Sequence, residues 1–126
     1  MLTPPDRARL DELHELGTSA VPVPACLCHN DLVVGNLFLD RRLRLIDFDY
    51  AVIGSPLIDL ASLVMLNDLP SATVATLLSC YFGDEGPYSA AEFARVERLT
   101  RLVAHFWALA SAGTAAGVDQ YRMGND

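Results

Sequence analysis

The sequence predicts an α+β fold, mainly α, in a single domain spanning residues 1–126. Two observations carry that expectation. Four stretches have helical spacing with recognisable start and stop residues. Two short apolar runs flank a polar turn, the pattern of a small β-hairpin, which is marginal alone and must pack on helices.

In chain order, Thr3 caps a first helix over Pro4–Gly17, with Pro4 in its first turn, Asp6 three residues past the cap and Gly17 as its stop. Leu10, Leu13 and Leu16 form its apolar stripe and Leu2 its staple. Arg7, Arg9, Asp11, Glu12 and Glu15 form the wet side. Thr18–Pro24 is Pro-rich and therefore extended. Ala25–Cys28 is a short apolar strand that delivers His29, Asn30 and Asp31 to a loop. Leu37–Leu39 and Leu43–Ile46 are the hairpin strands, around Asp40, Arg41 and Arg42. Asn36 enters the first and Asp47 leaves the second, so antiparallel pairing returns both to the same end.

Ala51–Ser55 is expected as a loop in which Gly54 is free to take a positive φ. Ser55 caps and Pro56 begins a helix to about Leu66, with Leu57, Leu60, Ala61, Val64 and Met65 inward; Asn67–Pro70 breaks it. Ser71 to about Phe82 carries Val74, Leu77, Leu78 and Tyr81, apolar on most sides, which implies heavy burial. Gly83–Pro87 is a loop. Ser89 and Glu92 form a capping box that opens a long helix. Phe93, Val96, Leu99, Val103, Phe106 and Ala110 share one face of it, and Arg95, Arg98 and Arg101 a solvated one. Gly113–Asp126 is small, Gly-rich and expected to fray.

A chain of 126 residues buries about two-thirds of its unfolded surface, enough for a core. With nine basic and sixteen acidic residues the net charge is -7, so no basic stripe is available to neutralise nucleic-acid phosphates. The acidity suits solubility first and a cationic substrate second. No apolar run approaches the roughly eighteen residues of a membrane span. The N-terminus lacks the basic and apolar regions of a secretory signal. Cys26, Cys28 and Cys80, an odd number in apolar settings, read as free thiols in a reducing compartment, and the cytoplasm is the expected location.

The chemistry concentrates in Cys28-His29-Asn30-Asp31-Leu32, followed by Asn36 and then by Ile46-Asp47-Phe48-Asp49-Tyr50-Ala51. The order His-x-Asp-x-x-x-x-Asn with a later apolar-Asp resembles the catalytic loop and metal segment of kinase-like phosphotransferases. The variant here resembles the choline/ethanolamine kinase and aminoglycoside phosphotransferase group. The resemblance is close over residues 25–66 and corresponds to the C-terminal lobe of the protein-kinase-like fold. It divides the chain into a leading helix (1–17), a catalytic and metal loop region (25–55) and helices (56–117).

On that resemblance Asp31 orients the acceptor hydroxyl and takes its proton, while Asn36 and Asp47 hold Mg2+ with ATP as co-substrate. His29 and Asp59, the latter in Pro56-Leu57-Ile58-Asp59-Leu60-Ala61, brace the loop. Asp49, Tyr81 and Trp107 are candidates for substrate contact, the two aromatics with Phe106 and Tyr88 as a cage for a quaternary ammonium. Aromatics at helical spacing are also plain core. Cys26-x-Cys28-His29 matches no common zinc spacing. The expected partners are ATP and a small hydroxyl substrate, an amino-alcohol before an aminoglycoside, thiamine or homoserine.

The resemblance also sets an expectation of absence. Relatives grip the ATP phosphates with a strand-borne lysine in an N-terminal lobe, and all nine basic residues here are arginine. The chain is therefore expected to be a fragment of a kinase, poorly active alone, or one partner of a split enzyme. The rival reading is a degenerate lobe that serves as a binding or dimerisation module.

Overall fold

The computed structural model describes residues 2–18, 24–84, 86 and 88–111. Four helices and two small β-ribbons make up the described residues. The order is α1 (Pro4–Thr18), β1 (Cys26–Cys28), a single 3-10 turn (Val34–Asn36), β2 (Leu37–Leu39), β3 (Leu43–Leu45), β4 (Val52–Gly54), α2 (Pro56–Leu66), α3 (Ala72–Phe82) and α4 (Ala90–Ala110). Residues 1–21 with 98–126 form one compact unit and residues 22–97 a second, with α4 contributing to both. The tail expected to fray, most of the linker before Pro24, and Glu85 and Pro87 of the loop after α3 lie outside the described residues.

In the first unit α1 begins with the expected cap. The Thr3 N–H donates to Asp6 Oδ2 at 3.2 Å and the Asp6 N–H to Thr3 Oγ1 at 3.3 Å, a reciprocal box with Asp in place of Glu. Its buried face corrects the expectation. Asp6 and Arg9 are buried, whereas Leu10 is 45% exposed and Leu2 is exposed too. A polar network takes precedence over the leucine stripe: His105 Nε2 meets Asp6 Oδ1 at 2.9 Å, and Arg9 Nη1 lies 3.5 Å from the same oxygen. The face of α4 turns accordingly. Thr100, Leu102, His105 and Ala108 are buried, while Val103 and Ala110, expected inward, are exposed. Arg98, expected on a solvated face, clasps Glu12 with two bonds of 2.7 and 2.6 Å.

The second unit has its core between α2, α3 and the start of α4. Leu57, Leu60, Ala61, Val64, Val74, Leu78 and Phe93 form it, with Leu69, Leu77, Phe82, Tyr88 and Val96 packed around them. Only Val74 and Leu78 of α3 are fully buried and Tyr81 is half exposed, so α3 lies at the rim of the core. Pro56 opens α2 as expected, but Ser55 makes no side-chain cap. The Ser89–Glu92 box is present: the Ser89 N–H donates to Glu92 Oε2 at 2.7 Å and the Glu92 N–H to Ser89 Oγ at 3.2 Å. Gly83 ends α3 at φ 83°, a conformation that favours glycine, with its N–H on the Ser79 carbonyl.

Of the two ribbons, the expected one pairs β2 with β3 in the register Leu37↔Leu45, Phe38↔Arg44, Leu39↔Leu43. The other was expected as a strand and a loop. Val52–Gly54 is a strand, antiparallel to β1 in the register Cys26↔Gly54, Leu27↔Ile53, Cys28↔Val52. Gly54 is therefore extended, and a Cβ there would lie 3.7 Å from the Cys28 sulfur.

Candidate active site

All of the loop candidates lie in the second unit. Asp59 stands in the first turn of α2, and its carboxylate receives two consecutive backbone donors, the His29 N–H at 2.6 Å and the Asn30 N–H at 2.7 Å. The chain leaving β1 is thereby fixed at its exit. Asn30 then takes a left-handed conformation, φ 63°, which asparagine tolerates far better than a branched residue. Its Nδ2 donates to the Tyr50 carbonyl at 3.0 Å, tying the loop to the segment after the hairpin.

His29 is buried and bonded through both ring nitrogens. The Asp31 N–H donates to Nδ1 at 3.3 Å, so Nδ1 carries a lone pair and Nε2 carries the proton. That proton goes to the Ile46 carbonyl at 2.8 Å. Phe48 packs on the imidazole with ring centroids 4.5 Å apart. One side chain thus spaces the Asp31 backbone from the end of β3.

Asn36 is buried at the end of the 3-10 turn, and its Nδ2 donates to both the carbonyl (2.9 Å) and Oδ2 (3.1 Å) of Asp31. The Asn36 carbonyl accepts the Ile46 N–H at 3.1 Å, continuing the hairpin ladder one residue past Leu37↔Leu45. Ile46 is therefore held on both sides, by Asn36 at its N–H and by His29 at its C=O. Asp47 follows at once, with φ 63°. Its carboxylate is exposed and makes no hydrogen bond to a described residue. Asp49 is exposed in the turn closed by the Ala51 N–H on the Phe48 carbonyl.

Tyr81 belongs to the same unit, on α3. Burial above all, then the neighbouring Cys26, to which its hydroxyl is hydrogen-bonded, raises its pKa. Trp107 belongs to the first unit, partly exposed on α4. Two positioning residues escaped the sequence reading. Asn30 was seen only as a neighbour of Asp31. Asn67, read as a helix breaker, donates through Nδ2 to the Leu32 carbonyl at 2.7 Å and the Leu63 carbonyl at 2.8 Å, holding the loop to the C-terminus of α2. An asparagine directly after a helix was the only available signal.

Among the described residues no three His, Cys, Asp or Glu side chains converge as a metal cluster. The donor set at the loop is different in kind. With its Nδ2 engaged by Asp31, Asn36 has its amide oxygen left as acceptor, and Asp47 offers a carboxylate. These are hard oxygens, the ligands of Mg2+, which takes only one or two protein groups and completes its shell with water and phosphate.

Three comparisons bear on this geometry. A family model described as "Phosphotransferase enzyme family" matches residues 2–99. Two Haemophilus influenzae sequences, both Protein LicA and one from strain Rd, are 37% identical over 67 residues, 52% of this chain and 25% and 20% of their own lengths. The fold is similar to the crystal structure of a choline/ethanolamine kinase family protein from Mesorhizobium loti, with a TM-score of 0.73 and 25% identity. That alignment covers 96% of this chain and 42% of the solved one. The chain thus spans a quarter or less of the LicA sequences and under half of the solved protein.

Proposed function

The chain belongs to the phosphotransferase enzyme family, and on that premise we propose that it is the C-terminal catalytic lobe of an ATP-dependent small-molecule kinase. The acceptor is a hydroxyl, and the class we favour is an amino-alcohol such as choline or ethanolamine. A kinase of the choline/ethanolamine group is the structural relative in hand. The observation that carries the reading is the bond of 3.1 Å from Asn36 Nδ2 to Asp31 Oδ2, which joins the two signature residues across their five-residue spacing.

In this reading Asp31 orients the acceptor hydroxyl and takes its proton, with the Asn36 amide fixing the carboxylate's rotamer. Asn36 Oδ1 and Asp47 hold Mg2+, which when bound neutralises the phosphates of ATP. His29 and Asp59 brace the loop rather than touch substrate. Asp49 and Tyr81, both in the second unit, are the residues we assign to a cationic substrate, one through charge and the other through its ring face. The remaining parts, a phosphate-gripping lysine and a lobe over the nucleotide, would come from outside residues 1–126. The ribbons favour this, since the cross-strand pairs Leu27–Ile53 on one and Leu39–Leu43 on the other are exposed, apolar pairs of the sort another lobe covers. The same exposed pairs favour the rival, a non-catalytic docking module. The three free thiols suit the cytoplasm.

The test is Mg-ATP-dependent phosphorylation of an amino-alcohol panel by the chain alone and by a version joined to the N-terminal lobe of a relative. The joined version should be active and the chain alone nearly inert. Asp31→Asn should lower the joined activity about 100-fold or more, the scale of a lost general base. Activity that survives both Asp31→Asn and Asp47→Asn unchanged overturns the assignment.

A further inference from the structure

We infer that Cys26 and Cys28 form a dithiol site that a peroxide closes to an intramolecular disulfide, at the root of the loop that carries Asp31. The inference goes beyond phosphoryl transfer and stands or falls separately from it. Residues two apart on a strand share a face, and β1 brings the two sulfurs to 3.9 Å. Alternate strand residues have Cα atoms about 6.6 Å apart, just under the upper limit of about 6.8 Å for a bridged pair, and closing the bond must also draw their Cβ atoms to about 4 Å, which bends β1. Gly54 stands opposite Cys26, and a Cβ there would come within ordinary contact distance, 3.7 Å, of the Cys28 sulfur.

The pair is unequal. Cys28 is 1% exposed, and its thiol points at the Cys26 carbonyl at 3.6 Å. Burial first, then the bond to Cys26 and the charge of Asp59, push its pKa up, so Cys28 keeps its proton. Cys26 is half-buried, and the Tyr81 hydroxyl hydrogen-bonds its sulfur. Cys26, the less buried of the two, is thus the sulfur that meets an oxidant.

The chemistry balances in two steps. The Cys26 thiolate attacks one peroxide oxygen: an S–O bond forms, the O–O bond breaks, and the departing hydroxide is protonated to water. The Cys28 sulfur then attacks the Cys26 sulfenic acid: the S–S bond forms, the S–O bond breaks, and the hydroxyl leaves as water with the Cys28 proton. Two thiols have given two electrons and two hydrogens to one peroxide. A small thiol reverses the reaction by exchange.

The experiment uses the chain with Cys80→Ser, which removes the exposed third thiol, titrated with hydrogen peroxide and then alkylated. Mass spectrometry should show a monomer lighter by two hydrogens, both thiols lost together, and both returned by dithiothreitol. The inference is overturned if Cys26 proceeds to sulfinic or sulfonic acid while Cys28 remains alkylatable. It is equally overturned if the only disulfide joins two chains, or if both thiols survive peroxide.

Discussion

Replacing Asp59 with asparagine should cost about 2–4 kcal/mol of folding stability. The carboxylate receives the His29 and Asn30 N–H groups at 2.6 and 2.7 Å, and bonds to a charged acceptor contribute about 1.5–3 kcal/mol each. Asparagine keeps one acceptor oxygen and turns an NH2 towards the other donor. One bond therefore becomes a donor–donor contact and the other loses its charge. The substitution also removes a negative charge from the first turn of α2, where the helix dipole favours it by about 0.3–1 kcal/mol. Urea unfolding measures the loss, which at about 4 °C per kcal/mol for a chain of this size lowers Tm by about 8–16 °C. Hydrogen exchange locates it: protection should fall first at the amides of His29 and Asn30. A loss below about 1 kcal/mol, with both amides as protected as before, would refute the reasoning that the loop hangs on this carboxylate.

Three further outcomes are expected. The Thr3 hydroxyl above all, then His105, lowers the Asp6 pKa from 3.8 to about 2. A depressed carboxylate contributes stability that is present above its unfolded value and lost as pH falls through its folded one. The urea midpoint should therefore drop between pH 3.8 and about 2, and Asp6→Asn should flatten that drop. Leu102 is fully buried, so Leu102→Ala should cost about 2–5 kcal/mol in the same assay. Glu12→Gln should cost less than about 1 kcal/mol despite the two short bonds to Arg98, because both side chains are more than a third exposed, and the difference should shrink in high salt.

The helices were legible because their signals are local. Pro4, Pro56, the Ser89–Glu92 box and Gly83 each act within a turn of where they stand, and the observed elements begin and end within two residues of them. The β2–β3 hairpin was legible for the same reason, its partners being separated by a three-residue turn. What escaped depends on partners far along the chain. β4 has only three residues, too few for alternation to show, and its partner β1 lies on the other side of the Asp31 loop and the hairpin. The orientation of α1 was misjudged because three leucines at helical spacing outweigh one aspartate in any pattern. Asp6 is buried beside a histidine ninety-nine residues away, to which it is hydrogen-bonded. At the candidate site the residue types and spacing were legible, but the bonds that position them were not. Nothing in the order of letters says that one carboxylate will receive two consecutive amides thirty and twenty-nine residues before it.

Those bonds also explain a division of labour among the aspartates. Asp59 is fully engaged by backbone donors, and its work is to fix the path of the chain. Asp47 is the opposite case. Its place is set by its neighbours, through Ile46, which is bonded to Asn36 at its N–H and to His29 at its carbonyl. Its left-handed backbone, matched by that of Asn30 across the loop, turns the chain where only a few residue types are at ease. None of this uses the Asp47 carboxylate, which is left exposed beside a rigid frame. A cation site needs oxygens held in place by something other than themselves, so that no rearrangement is required when the ion arrives. A structural aspartate would show the reverse pattern, with its oxygens consumed by the fold. In the proposed reading, that separation of the group that holds from the group that is held is what a cation site at this loop would use.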